Sequence, residues 1–155
     1  MPTTNNVDPV QVERYRFIDF LLLFKGQLTR AELVKRFSIG EATASRAIAS
    51  FLERYPEEVE FLGPRYGYRA NPFYQHKYEH DALTGLQYTA YGTLTQILDI
   101  QRYGIDFYKF ANQLDVANVA PICRAIVNSV SVHIRYVSTT SGIKDRVVSP
   151  HSVFE

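Results

Sequence analysis

Apolar positions change period three times along the chain, and each change marks a new element. From Val12 through Tyr15, Phe17 or Ile18, Leu21 and Leu22 they recur at three-to-four spacing, which predicts a helix with one buried stripe. Asp8 suits its N-cap, Pro9 its first position, Gln11 stands at capping-box spacing, and Gly26 ends it after Lys25. A second helix opens at Thr29, with Glu32 completing a capping box, and turns Leu33, Val34 and Phe37 inward. A third runs from about Glu41 to Arg54, buries Ala44, Ile48, Phe51 and Leu52, and stops before Pro56. Ser38-Ile39-Gly40 joins these two, with the glycine expected to take the backbone angles of a sharp reversal. Two short alternating stretches between Val59 and Arg69 flank Gly63-Pro64-Arg65 and predict a β-hairpin.

The following stretch is less regular, and Asn71-Pro72 begins a connection. Leu86, Ala90, Leu94, Ile97 and Leu98 then predict a helix over Leu83 to Ile100, broken at Gly104, with a short helix or extended piece around Phe107 to Phe110. Val116 to Asn128 is helical in pattern, with Pro121 near its first turn and Ile122, Ala125 and Ile126 facing inward. The period finally becomes two. Val130, Val132, Ile134 and Tyr136 fall on one face and Ser131, His133 and Arg135 on the other, which predicts a half-buried strand. Thr139 to Gly142 turns the chain into a second strand, Ile143 to Ser149, and Pro150-His151 starts a bend. The fold class is α+β, mostly α. Three helices followed by a hairpin form a winged helix-turn-helix over residues 1–70. A helical connector spans 71–129, and 130–155 opens a sheet that two strands alone do not complete.

Composition narrows the picture. Hydrophobic residues are 46% of the 155, enough for a core, and no apolar run approaches the roughly 20 residues needed to span a bilayer. The N-terminus lacks the basic start and apolar stretch of a signal peptide, and the lone Cys123 allows no internal disulfide, so a reducing cytoplasm is expected. Net charge is only +1, but Lys25 to Arg54 holds six basic residues against three acidic ones. That local excess of +3 is modest support for phosphate binding, and a dimer would double it.

The chemistry gathers on the helix pair. The third helix carries small polar groups and an arginine on the face opposite its apolar one: Thr43, Ser45, Arg46 and Ser50. Short donors beside an arginine suit the edges of bases in the DNA major groove. Lys35, Arg36 and Arg65 are expected to hold the phosphate backbone, although Arg65 fits an ordinary exposed turn equally well. Tyr66, Tyr68, Tyr74 and Tyr78 can stack on bases, but amphipathic tyrosines more often cover half-buried positions. His76 and His80 stand four apart without a third ligand nearby, which reads as a polar linker rather than a metal site. Cys123 reads as a core residue. There is no glycine-rich phosphate loop, no nucleophile with a base at motif spacing and no recognisable carboxylate pair, so neither an enzyme nor a cofactor is expected.

Three stretches carry a family resemblance: Arg14 to Arg30, Ala44-Ser45-Arg46, and the run from Tyr136-Val137-Ser138 through Ser141-Gly142 to Arg146-Val147-Val148-Ser149-Pro150-His151. They resemble WYL-domain transcriptional regulators, in the BrxR/CapW-like branch of phage-defence repressors. The resemblance implies a winged helix-turn-helix, then an SH3/Sm-like WYL β-barrel that senses a ligand, then a dimerisation domain. The positions matching the family's sensing residues are Tyr136, Ser138, Arg146 and His151. An arginine, a histidine and hydroxyls together would suit a nucleotide or nucleic-acid effector. Cross-strand charge pairing is the plain alternative for Arg135 and Arg146. The chain has no tryptophan, and the tryptophan-bearing stretch that follows the Pro-His turn in such domains is not in it. The expectation is therefore a truncated or short form, with the barrel incomplete and sensing reserved to a complete one.

Two functions follow. The first is a sequence-specific DNA-binding regulator, a repressor of a phage-defence locus, which binds an inverted repeat as a homodimer on the nucleoid. The second is a winged-helix protein-interaction module without specific DNA binding. Only the first must weaken steeply with salt.

Overall fold

The computed structural model describes residues 8–56, 58–92 and 114–153. They fall into two compact units, 1–79 and 80–155. In the first, helix α1 (Pro9–Phe24) is followed by strand β1 (Gln27–Leu28), helices α2 (Arg30–Phe37) and α3 (Glu41–Arg54), and strands β2 (Val59–Gly63) and β3 (Gly67–Ala70). The strands form one antiparallel sheet in the order β1-β3-β2. This is a winged helix-turn-helix, and its two-residue strand β1 is an element the sequence pattern did not suggest.

Helix α1 is the hub. The Asp8 carboxylate accepts from the Val10 N–H at 3.1 Å, and Pro9 opens the first turn. At the far end the Gly26 N–H returns to the Leu21 carbonyl at 3.0 Å, with Gly26 at φ +75°. From Phe17 to Phe24 every residue is buried, so the expected stripe is in fact a helix buried nearly all round, while Val12 stays half-buried. Tyr15 meets α3 twice: its ring packs edge-on against Phe51 at 5.7 Å, and its hydroxyl shares a 2.5 Å hydrogen bond with Ser50 Oγ. Phe17 stands edge-on to Phe37 of α2 at 5.7 Å.

One polar side chain lies inside this apolar helix. Asp19 is completely buried and accepts from the Tyr74 hydroxyl at 2.5 Å, from the Lys77 N–H at 3.0 and 2.9 Å, and from the Tyr78 N–H at 2.9 Å. A carboxylate only accepts, and these neighbours only donate to it, so the burial is compensated. The segment after the wing is thereby tied onto α1. Lys77 adds an ion pair to Glu58, and its ammonium lies over the rings of Tyr55 and Tyr74. Burial, then the negative charge of Asp19, raises the Tyr74 phenol above the ordinary range, which keeps it a donor. Burial, then a hydrogen bond to Tyr55, pushes Tyr78 up to about 12.

The turn between α2 and α3 differs from expectation. Ser38 takes the left-handed conformation (φ 51°, ψ 42°), whereas Gly40 is extended (φ −69°, ψ 154°) and acts as the N-cap of α3. A serine tolerates that region when flanking contacts fix the turn, and Gly40 contributes only the lack of a side chain. Glu32 does work as expected: its carboxylate accepts from the Thr29 N–H at 2.8 Å and also takes Lys25 Nζ at 2.6 Å. In α3 the buried set is Ala44, Ala47, Ile48 and Phe51; Leu52 is only half-buried.

The second unit contains helices α4 (Ala82–Tyr91) and α5 (Val116–Asn128), which pack together, and a hairpin of β4 (Val132–Ser138) and β5 (Gly142–Val148). Asp81 and Asp115 cap the two helices, and Gly92 at φ +70° closes α4. The helix predicted to reach Ile100 thus ends at Tyr91; Leu94, Ile97, Leu98, Gly104 and Phe107 to Phe110 lie outside the described residues. Its buried residues are Ala82, Gly85 and Gln87, with Leu86 half-buried and Ala90 exposed. In α5 the buried residues are Val119, Ala120, Cys123 and Ala125, whereas Ile122 and Ile126 are half-buried, and Pro121 lies inside the helix rather than in its first turn. Along β4, Val132, Ile134 and Tyr136 are half-buried and His133 and Arg135 exposed, as the alternation predicts, but Val130 precedes the strand and is exposed. The exposed face pairs Arg135 with Asp145 at 2.9 Å and leaves Val137, Ile143 and Val147 at 78%, 70% and 71% exposure.

Asp19→Ala strands two backbone N–H groups and a phenol in a dry site. The expected loss is about 3–5 kcal/mol of stability in urea unfolding followed by tyrosine fluorescence; a loss under about 1 kcal/mol would show that the segment after the wing is held by something else. A second pair of variants tests the backbone. A Cβ on Gly67, at φ +72°, would stand 2.3 Å from the Leu28 carbonyl oxygen, so Gly67→Ala should destabilise by about 2–4 kcal/mol. Gly40 has nothing within 4 Å of a built Cβ, and Gly40→Ser should be neutral or stabilising by a few tenths of a kcal/mol as a better cap.

Candidate nucleic-acid interface

The phase of α3 is set by what it buries. With Ala44, Ala47, Ile48 and Phe51 turned into the core, the face directly opposite is Ala42, Arg46, Ala49 and Glu53, at i, i+4, i+7 and i+11, and all four are exposed. Thr43 and Ser45 are half-buried and flank this ridge on opposite sides. Arg46 Nη2 donates to Thr43 Oγ1 at 3.3 Å, a long and exposed contact that a better acceptor can replace. Of the four residues singled out on this helix, Arg46 is therefore central and Thr43 and Ser45 lateral. Ser50 is turned toward α1 and bound to Tyr15. Choosing polar residues alone misses Ala42 and Ala49; the helical phase of the apolar set is the signal that finds them.

The first turn of α3 is joined to α2 by Arg30. Its Nη2 lies 3.0 Å from Glu41 Oε2, and its Nη1 lies 3.5 Å from Ser45 Oγ. Glu41 and Ser45 are one turn apart on α3, so a single guanidinium spans both. Lys35 and Arg36 are exposed in the last turn of α2. The Arg36 guanidinium rests over the rings of Phe37 and Phe17 at 5.5 and 6.0 Å, which steadies it without neutralising it.

The wing is a short hairpin with an irregular register between Phe61 and Gly63. Its turn closes through the Tyr66 N–H on the Gly63 carbonyl at 3.2 Å and leaves Pro64, Arg65 and Tyr66 exposed, with Arg65 5.8 Å from the centre of the Tyr66 ring. The four tyrosines separate in role. Tyr66 is exposed, Tyr68 packs against Phe61 at 4.9 Å, Tyr74 is buried on Asp19, and Tyr78 is half-buried. Behind the tip, Arg69 pairs with Glu60 at 2.8 Å.

In the second unit the four matched sensing positions are only partly assembled. Arg146 lies over the Tyr136 ring at 5.3 Å. Ser138 Oγ is engaged in its own turn, accepting from Ser141 Oγ at 2.9 Å, and His151 is exposed beyond β5. Arg135 makes the cross-strand pair with Asp145. Cys123 is fully buried and burial raises its thiol pKa, the opposite of what a nucleophile needs. His76 Nδ1 contacts the Tyr78 carbonyl at 2.7 Å, and among the described residues no three or more His, Cys, Asp or Glu side chains gather as metal ligands. Among the same residues no helix is long and apolar enough to cross a membrane.

Comparison with known proteins agrees with this geometry. Two curated relatives, from Escherichia coli strain KTE188 and from Escherichia coli, are both described as DNA-binding transcriptional repressor CapW. Each is 28% identical over 159 aligned residues, covering 92% of this chain and 50% of the relative. The chain thus spans about half the length of the curated relatives it matches. Residues 11–88, which include α1 from its third residue, α2, α3, the three strands of the first sheet and most of α4, match the winged helix-turn-helix domain of BrxR transcriptional regulators. With a BrxR domain match over half its length, this chain belongs to the BrxR family of winged helix-turn-helix transcriptional regulators.

Proposed function

We propose that this chain contains the DNA-reading part of a transcriptional repressor and binds an operator specifically. One observation carries the reading: the ridge Ala42–Arg46–Ala49 is free of core packing, while the opposite face of the same helix is wholly buried. A helix fixed on one side and bare on the other fits the major groove. Arg46 can take a guanine through O6 and N7, the alanine methyls can meet thymine methyls, and Thr43 and Ser45 can donate at the flanks. Lys35, Arg36 and Arg65 would hold phosphates and fix the register. Ser50 leaves this set because it anchors the helix.

The described repressor activity of the relatives supports steric repression here too. The local charge is small, so two copies on an inverted repeat would supply the affinity one copy lacks, and a homodimer acting in the cytoplasm on a phage-defence locus is the consistent setting. The β4–β5 hairpin would open a WYL barrel, a reading supported by Val137, Ile143 and Val147 lying uncovered on one face. In a complete barrel Tyr136 and Arg146 would form the base of a site for a nucleotide or nucleic-acid effector, with Ser138 and His151 nearby in sequence.

The test is a gel shift against DNA upstream of the chain's own gene, with random competitor and a salt series. Specific binding should resist competitor and weaken steeply as salt rises. Arg46→Ala should lower affinity for that DNA by about 1–3 kcal/mol and change binding to random DNA much less. Ser50→Ala should leave operator affinity unchanged and lower stability by about 0.5–1.5 kcal/mol. Equal losses for Arg46→Ala on both DNAs would reduce Arg46 to a phosphate contact, and salt-insensitive or absent binding would favour a protein-interaction module.

A further inference from the structure

Two exposed carboxylates stand on α3, Glu41 in its first turn and Glu53 in its last, and Glu41 lies at the helix end that also carries Thr43, Ser45 and Arg46. Glu41 stands at the first position of α3 with its side chain 72% exposed, where an uncompensated carboxylate repels phosphates. Its contribution to stability is modest. An acidic residue in a first turn gains only about 0.3–1 kcal/mol from the helix dipole, and an exposed ion pair adds about 0–1 kcal/mol.

The pairing with Arg30 changes what the carboxylate can do. The guanidinium, 49% exposed, neutralises Glu41 through Oε2 at 3.0 Å and reaches Ser45 Oγ at 3.5 Å, so α2 fixes the position of the Glu41 head group. Bonding through Oε2 leaves Oε1 able to accept a further hydrogen bond. In the major groove the donors a fixed carboxylate can accept from are exocyclic amines, and cytosine N4 is the matching one. Arg46, five residues on and about 140° further round the helix, suits guanine, so Glu41 and Arg46 offer an acceptor and a donor fork at separate positions in the first one and a half turns of helix.

We propose that Glu41, held by Arg30, is a specificity-determining residue that reads a cytosine amine in the operator; this rests on the DNA-reading function argued above. Arg30 is its positioning residue. The carboxylate works mainly by exclusion. Opposite a base that offers only acceptors it places two negative groups together, so wrong sequences are penalised more than the right one is favoured.

The experiment is selection of preferred duplexes from a randomised pool by the full chain, followed by affinity measurement on the winner and its single-base variants. Glu41→Gln keeps the size of the side chain and can both donate and accept. It should relax preference at one C·G pair, cutting discrimination there about 5- to 150-fold, while leaving preference elsewhere and raising affinity for random DNA. Arg30→Ala should relax the same pair and lower affinity generally. An unchanged preference at every position in Glu41→Gln, with the wild type still selecting one sequence, would overturn the role of Glu41 and leave the DNA-reading function standing. A wild-type chain that selects no sequence at all would overturn both.

Discussion

Asp19 and the donors around it set the frame of the winged helix. Its carboxylate is sealed in the middle of the most buried helix of the chain, and it reaches across 55 to 59 positions to Tyr74, Lys77 and Tyr78. The wing is fastened just before this point. The Ala70 N–H donates to the Gly26 carbonyl at 2.9 Å, and the Asn71 N–H donates to the Glu58 carbonyl at 2.9 Å. Strand β3 therefore leaves the sheet already aligned with α1, and Asp19 takes hold of the chain a few residues later. Helix α1 in turn positions α3 through Tyr15 and α2 through Phe17. The orientation of α3 depends on α1, and the segment after the wing is held on α1 by the donors it offers to Asp19. Buried charges that lose a partner are strongly destabilising, so such an arrangement holds in one geometry or not at all.

The parts legible in the sequence are those whose signal is local. Asp8 with Pro9, Thr29 with Glu32, and Gly63-Pro64-Arg65 each announce an element by chemistry contained within a few residues, and the structure uses each of them. The alternation over Val132 to Tyr136 is equally local and equally reliable. The parts not legible depend on partners far along the chain. Asp19 looks like an interruption in an apolar run until Tyr74 and Lys77 are beside it. Ser50 looks like a surface donor until Tyr15 is beside it. Strand β1 is two residues long and exists only because β3 pairs with it, Gln27 to Arg69 and Leu28 to Tyr68. In α5 the reading holds for Ala125 and differs for the two isoleucines, for a related reason. Pattern alone favours the large residues Ile122 and Ile126, while the packing of α4 and α5 places Ala120 and Cys123 in the tight space.

Local strain follows the same division. Ser38 and Ser129 are the non-glycine residues with positive φ among those described, and both close helices. At Ser129 the Val130 N–H returns to the Ala125 carbonyl at 3.0 Å, so the turn retrieves a carbonyl the helix end would otherwise strand. At the turn into α3 the same left-handed step lets the chain reverse within three residues and delivers Gly40 in the extended form that an N-cap needs. A glycine in a turn is therefore weak evidence of which residue carries the unusual angle. What fixes it is the helix that must start on the far side.

Four arginines of the proposed DNA-facing surface share one property, which is that each already has a contact in the free protein, whereas Lys35 is simply exposed. Arg46 leans on Thr43, Arg30 on Glu41 and Ser45, Arg36 on Phe17 and Phe37, and Arg65 on Tyr66. The contacts of Arg46, Arg36 and Arg65 are weak, within about 1 kcal/mol, so each can be exchanged for a base or phosphate at little cost, whereas Arg30 stays on Glu41 in the complex proposed above. Each also limits the rotamers a long side chain samples before binding, which reduces the entropy lost on association. This matters because the chain has little charge to draw on. With a net charge of +1, the sequence-independent attraction to DNA expected of this chain is small. A protein so placed gains specificity less from strong grip than from prearranged groups that accept one sequence and reject others. The role proposed for Glu41 belongs to that economy of charge: a neutralised carboxylate at the start of α3 would add no attraction to phosphate and would penalise the wrong base.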